Sequence, residues 1–96
     1  MKNVELMKEY IAGSKKYNHT NHLSYSDGKM WNYWTIICRI DRDTKKALFN
    51  DHRYSVTTSK IQGQLEHVLS MAGYEIIHVD GEPLCYEIIH VDGETA

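Results

Sequence analysis

The chain is 96 residues long, 42% hydrophobic and 25% charged, with a formal charge of -2. That is enough to bury one modest core without staples, and it excludes collagen-like, disulfide-scaffolded and strongly basic classes. No apolar run approaches the length of a membrane span, and Met1-Lys2-Asn3-Val4-Glu5 lacks a signal-peptide core. Two cysteines, Cys38 and Cys85, do not make a disulfide framework, so the expected compartment is cytosolic.

Charge is unevenly spread. The first 60 residues hold all 11 bases and six acids, a balance of +5, whereas residues 61–96 hold seven acids and no base, a balance of -7. Such asymmetry either marks a binding face or neutralises itself across the folded domain.

Residues 3–12 predict a short helix: Val4, Met7 and Ile11, flanked by Leu6 and Tyr10, recur at helical spacing. Asn3 is the expected cap, and Gly13 ends the helix in the left-handed conformation. Ser14 to His22 is polar and reads as a surface loop. Leu23-Ser24-Tyr25-Ser26 alternates as a strand, and Asp27-Gly28 is a strong hairpin signal. Lys29 to Ile40 predicts one long strand, with Met30, Trp34, Ile36, Cys38 and Ile40 on one face and Trp31, Tyr33, Thr35 and Ile37 on the other. Lys46 to Asn50 returns antiparallel, and Arg53 to Thr57 reads as a further short strand. Ser59-Lys60-Ile61-Gln62 fits a capping box, followed by a stripe of Ile61, Leu65, Val68, Leu69 and Ala72 that Gly73 closes.

A nine-residue segment then appears twice. Tyr74-Glu75-Ile76-Ile77-His78-Val79-Asp80-Gly81-Glu82 recurs unchanged as Tyr86 to Glu94, twelve positions later. The identity is too perfect and too short for a solenoid repeat, and points to a recent in-frame duplication or a cloning artefact. Each copy alternates as a strand. The second is expected to fold back as a hairpin through Asp80 to Cys85, with two alternatives: it stays disordered and exposes Ile88-Ile89, or it pairs with a neighbouring molecule's edge. The chain thus reads as one α+β domain over residues 1–84: an antiparallel sheet of four to five strands packed with two helices, followed by a duplicated strand over 85–96. It is expected to be a monomer, or a dimer through pairing of that last strand.

No phosphate-binding glycine loop, nucleophile elbow or zinc-like cysteine spacing is present. The protein is therefore read as a non-enzyme without cofactor or metal. His78 with Asp80, and His90 with Asp92, fall at strand spacing that suits N and O ligands, but copying explains the doubling and a solvated strand end explains each pair. Cys38, inside an apolar run, reads as a core residue.

Two features remain. Seven tyrosines and two tryptophans stand against one phenylalanine, a balance suited to surfaces both wet and sticky. Trp31, Tyr33 and Tyr54 are the proposed contacts for a protein partner, with Glu75, Asp80 and Glu82 as an acidic edge for a basic, nucleic-acid-handling one. The second feature is Arg53 with Thr58, Ser59 and Lys60 at the expected helix start, a candidate anion site. With Lys15 and Lys16 these residues give the alternative reading, a nucleic-acid-binding module.

The run Met30-Trp31-Asn32-Tyr33-Trp34-Thr35-Ile36, then Ala47-Leu48-Phe49-Asn50, then Tyr54-Ser55-Val56-Thr57-Thr58-Ser59-Lys60-Ile61-Gln62 resembles an uncharacterised family of small bacteriophage proteins. In that family a Tyr-Ser-x-Thr-Thr-Ser-Lys-x-Gln segment follows an aromatic strand. The resemblance covers about residues 25–70 and implies no catalysis. It implies phage origin and action in the host cytoplasm, with binding of a host protein as the expected role, including inhibition of a bacterial defence system of the anti-CRISPR kind.

Overall fold

Helix α1 runs from Asn3 to Ala12 and buries Leu6, Met7 and Tyr10, the stripe its spacing predicts. Its cap differs from expectation: Lys2 occupies the cap position and Glu5 accepts the Lys2 N–H at 3.1 Å. Gly13 ends the helix at φ 73. The Arg42 guanidinium donates to the Tyr10 carbonyl at 2.7 Å, placing a cation at the negative end of the helix. The computed structural model describes residues 2–83. The second copy of the repeat, with its expected hairpin or intermolecular pairing, lies outside the described residues.

Six strands follow in sheet order equal to chain order: β1 (Tyr17–Thr20), β2 (Leu23–Ser26), β3 (Lys29–Asn32), β4 (Thr35–Asp41), β5 (Lys46–Asn50) and β6 (Glu75–Val79). The first five form an antiparallel meander. Helix α2 (Val56–Met71) then carries the chain back so that β6 joins β5 in parallel, because a crossover helix returns the chain to the end where the previous strand began. The architecture is α+β with two helices, as expected, and with a mixed six-stranded sheet in place of an antiparallel one of four to five strands.

Three local corrections account for the difference. The stretch expected as a loop contains β1, a short polar strand whose side chains alternate between exposed and half-buried on the edge of the described sheet. The expected single strand from Lys29 to Ile40 is a hairpin, broken at Tyr33-Trp34, with Asn32 opposite Thr35. The expected strand from Arg53 to Thr57 is a connector that becomes helical at Val56.

Asp27 and Gly28 behave as the hairpin signal predicts, with φ of 50 and 82, the pattern of a type I′ turn. Between β3 and β4 the register slips, since Met30 faces Cys38 whereas Trp31 faces Ile36. Ile37 is the extra residue of this bulge, and both Ile37 and Cys38 enter the core. The main core lies between the helices and one sheet face, around Tyr10, Tyr25, Met30, Phe49, Leu65 and Leu69. Tyr10 donates its hydroxyl to the Gly28 carbonyl at 2.7 Å, fixing α1 to the β2–β3 turn. Tyr25 donates to Glu9 at 2.7 Å. Bonds from Asn18 and Tyr25 hold the Glu9 carboxyl below its usual range.

Candidate functional site

Strand pairing collects several connections at one end of the sheet. These are the β1–β2 turn (Asn21, His22), the β3–β4 turn (Tyr33, Trp34), the segment after β5 (residues 51–55), the start of α2, and Asp80 after β6. Aromatic and apolar side chains project there into solvent: Trp34 is 93% exposed, Tyr33 55%, Tyr54 42% and Val56 88%. Tyr33 adopts φ 57, a conformation a bulky residue rarely holds and one associated with functional sites. It is kept there by its N–H, which donates to the His22 carbonyl at 2.7 Å, and by stacking on the His22 ring at 4.5 Å between centroids.

A buried polar network beneath this end fixes the connector. Asn50, fully buried, donates to the Ile36 carbonyl at 3.0 Å and to the Tyr54 hydroxyl at 2.9 Å. Its Oδ1 accepts from the N–H groups of His52 at 3.0 Å and Gly81 at 3.3 Å. Gln62 reaches back from α2 to donate to the Asn50 carbonyl at 2.6 Å. Thr58 donates to Asn32 Oδ1 at 2.7 Å. Ser55 caps α2, its hydroxyl oxygen accepting the Thr58 N–H at 3.2 Å. The Tyr-Ser-Val-Thr-Thr-Ser-Lys-Ile-Gln segment therefore holds a loop in place: Tyr54, Thr58 and Gln62 bond to Asn50 and Asn32 of the sheet, and Ser55 caps α2.

Charge at this end is mixed. His52 Nδ1 lies 2.9 Å from Asp80 Oδ1, and His78 sits 3.5 Å from both Asp51 and Glu66. Arg53 is exposed and lines a hollow with Asp51 and Glu66, and Lys60 is exposed and lines another with Asn21 and His22.

Of the expected partner contacts, Tyr33, Tyr54 and Asp80 meet at this end. Trp31 does not: it lies half-buried on the sheet face opposite the helices, with the Lys29 ammonium 5.8 Å from its ring centroid. Glu75 opens β6 at the opposite end, across from Lys46. The Glu82 carboxylate accepts the Ile36 N–H at 2.8 Å, and the Pro83 carbonyl accepts from Arg39 Nε at 2.9 Å. The three acids thus occupy separate surroundings and form no single edge.

Of the expected anion residues, Thr58 is buried and its N–H is taken by the cap. Ser59 is one turn inside α2 and caps nothing; its N–H donates to the Ser55 carbonyl at 2.8 Å. The site expected around Ser59 as a helix start is corrected accordingly. Lys15 and Lys16 lie at the other end, where the Lys16 carbonyl accepts the Asp27 N–H at 3.4 Å, away from Arg53 and Lys60.

The sequence reading missed Trp34, Val56, His22 and Asn50. Asn32-Tyr33-Trp34-Thr35 carries no glycine or proline to announce a turn, so the residue pattern alone places Trp34 in a strand interior. Cys38 is fully buried, and burial pushes its thiol up to about 12, which leaves it without nucleophilic character at neutral pH. Among the described residues no group of three or more His, Cys, Asp or Glu side chains is arranged to hold a metal ion, and no helix is long and apolar enough to cross a membrane. Comparison of the chain with protein-family models, with curated proteins and with solved structures found no match.

Proposed function

We propose that this protein is a non-catalytic binding module that contacts a protein partner through the aromatic end of its sheet. The observation that carries this reading is Trp34, 93% exposed at a hairpin tip whose neighbour Tyr33 holds φ 57. Nothing in the fold requires a tryptophan there, whereas solvent-facing aromatics are enriched at the centres of protein interfaces. Tyr54 and Val56 extend the apolar area, and the network around Asn50 and Thr58 holds it in shape, which lowers the ordering cost of binding. His52, Arg53 and Asp80 supply a polar rim. A host protein as partner, in the host cytoplasm and with inhibition of a defence system as the outcome, is the form of this proposal that the phage-like segment favours.

The second reading, single-stranded nucleic acid, draws on the same aromatics with Arg53 and Lys60. Lys15 and Lys16 lie at the opposite end and Asp51 and Asp80 share this one, so the bases do not line one track. Fluorescence anisotropy with a labelled oligonucleotide across a salt series separates the two. The protein-partner reading expects no binding even at low salt; binding that falls steeply with salt replaces it with the second.

A further inference from the structure

Between α1 and α2, on their outward side, runs a groove of about 600 Å³. Its walls are apolar, with Val4 and Ile11 from α1 and Val68 and Met71 from α2, and its polar lining groups are Lys8 and His67. The volume lies inside the range of about 300–1,000 Å³ typical of small-ligand sites, and clefts between helices are a common place for them. Met71 is 76% exposed, an unusual position for a large apolar side chain, and its flexible thioether adapts to apolar ligands.

Charge decides the class of ligand. Both polar lining groups are nitrogen bases, and neither Lys8 nor His67 has a hydrogen-bond or ion-pair partner among the described residues. The acids nearest on the two helices are committed elsewhere. Glu5 accepts the Lys2 N–H, Glu9 takes Asn18 and Tyr25, and Glu66 faces His78. A cleft with apolar walls, uncommitted basic groups and no carboxylate in its lining is complementary to an aliphatic chain ending in an anion. From Val4 to Ile11 the α1 wall extends about 10 Å at the helical rise, which suits a medium-length chain.

We infer that this groove binds an aliphatic carboxylate, its chain against Val4, Ile11, Val68 and Met71 and its carboxylate held by Lys8 and His67. The site is separate from the aromatic end and does not depend on the proposed function.

Isothermal titration of the full chain with dodecanoate, kept below its micelle concentration, tests this, with dodecan-1-ol as the uncharged control. One saturable site per chain is expected, with the methyl NMR shifts largest at Val4, Ile11, Val68 and Met71. Lys8→Gln should weaken dodecanoate about tenfold, the worth of one charge-assisted hydrogen bond, and leave dodecan-1-ol unchanged. Met71→Asp, at an exposed position and with its fold confirmed by circular dichroism, should abolish both, whereas Trp34→Ala should abolish neither. Absence of saturable heat, or dodecanoate affinity indifferent to both Lys8→Gln and Met71→Asp, overturns the inference. So does a concentration-dependent dimer in sedimentation that Met71→Asp dissociates, because the groove would then be occupied by a second copy.

Discussion

Thr58 donates its hydroxyl proton to Asn32 Oδ1 at 2.7 Å, and both residues are buried. This bond joins the first turn of α2 to the last residue of β3, the residue that precedes the Tyr33-Trp34 tip. Thr58→Val keeps the shape and removes the donor, leaving a buried carbonyl oxygen unpaired. The expected loss is about 1–3 kcal/mol, read as a shift in the urea midpoint at unchanged slope.

The start of α2 is tested by two serines four residues apart. Ser55→Ala removes the oxygen that accepts the Thr58 N–H and should cost about 1 kcal/mol. Ser59→Ala sits inside the helix, where alanine is favoured, and should be neutral or slightly stabilising in the same denaturation series. The reverse order of effects would move the cap back to Ser59.

Asn50 makes four side-chain bonds, to the Ile36 carbonyl, the Tyr54 hydroxyl and the N–H groups of His52 and Gly81. Asn50→Ala should therefore destabilise the domain by at least the cost of one unpaired buried group, about 1–3 kcal/mol. Backbone NMR should show the largest changes at residues 51–55 and 81. Changes spread evenly over the sheet would indicate that Asn50 supports the core generally and does not hold this loop.

Burial pushes the Cys38 thiol up to about 12 and raises Tyr10 well above its ordinary value. Both groups keep their protons in the folded state at pH values where the unfolded chain has lost them. The thiol's contribution is fully present below its unfolded value near 9 and is lost as pH rises toward 12, while that of Tyr10 begins to fall only above its ordinary value of 10.0. Cys38 alone should then lower stability by about 1.4 kcal/mol per pH unit in that window. Denaturation midpoints should be flat from neutral pH to about 9 on this account and fall beyond it. A thiol reagent at pH 8 should label native Cys38 at the rate of global or local opening, and the urea-unfolded chain at once.

Much of the fold was legible because periodicity and turn chemistry agreed. The stripe of α1, the Asp27-Gly28 turn and the apolar face of α2 each satisfied two independent signals, and all three stand in the structure. The failures have a common cause, which is tertiary bonding that overrides local pattern. Tyr33 supplies a positive-φ turn that sequence rules assign to glycine, because His22 holds it by a hydrogen bond and a ring stack. Val56-Thr57-Thr58 has strand propensity, yet it opens α2 because Ser55 caps it and Asn32 takes the Thr58 hydroxyl. β1 is polar and short, and its pairing with β2 leaves no signature in its own residues.

The candidate site was half legible for the same reason. Tyr33 and Tyr54 were identified from composition, and the structure brings them to one end. Trp34 was hidden by the unbroken aromatic run, and its exposure depends on a turn that no local residue announces. The acidic residues were grouped by proximity in sequence, whereas strand direction sends Glu75 and Asp80 to opposite ends of β6.

The central claim is that the aromatic end is a binding surface, and Trp34→Ala tests it most directly. At 93% exposure the side chain contributes little to folding, so the thermal midpoint should stay within the range of ordinary surface substitutions, about 0.5 kcal/mol either way. Quantitative affinity enrichment from bacterial lysate, run with wild-type and Trp34→Ala baits and repeated by calorimetry on the purified partner, should show affinity falling at least about thirtyfold, as for a hot-spot aromatic. A variant that is equally stable and retains its partner at wild-type affinity would contradict the account.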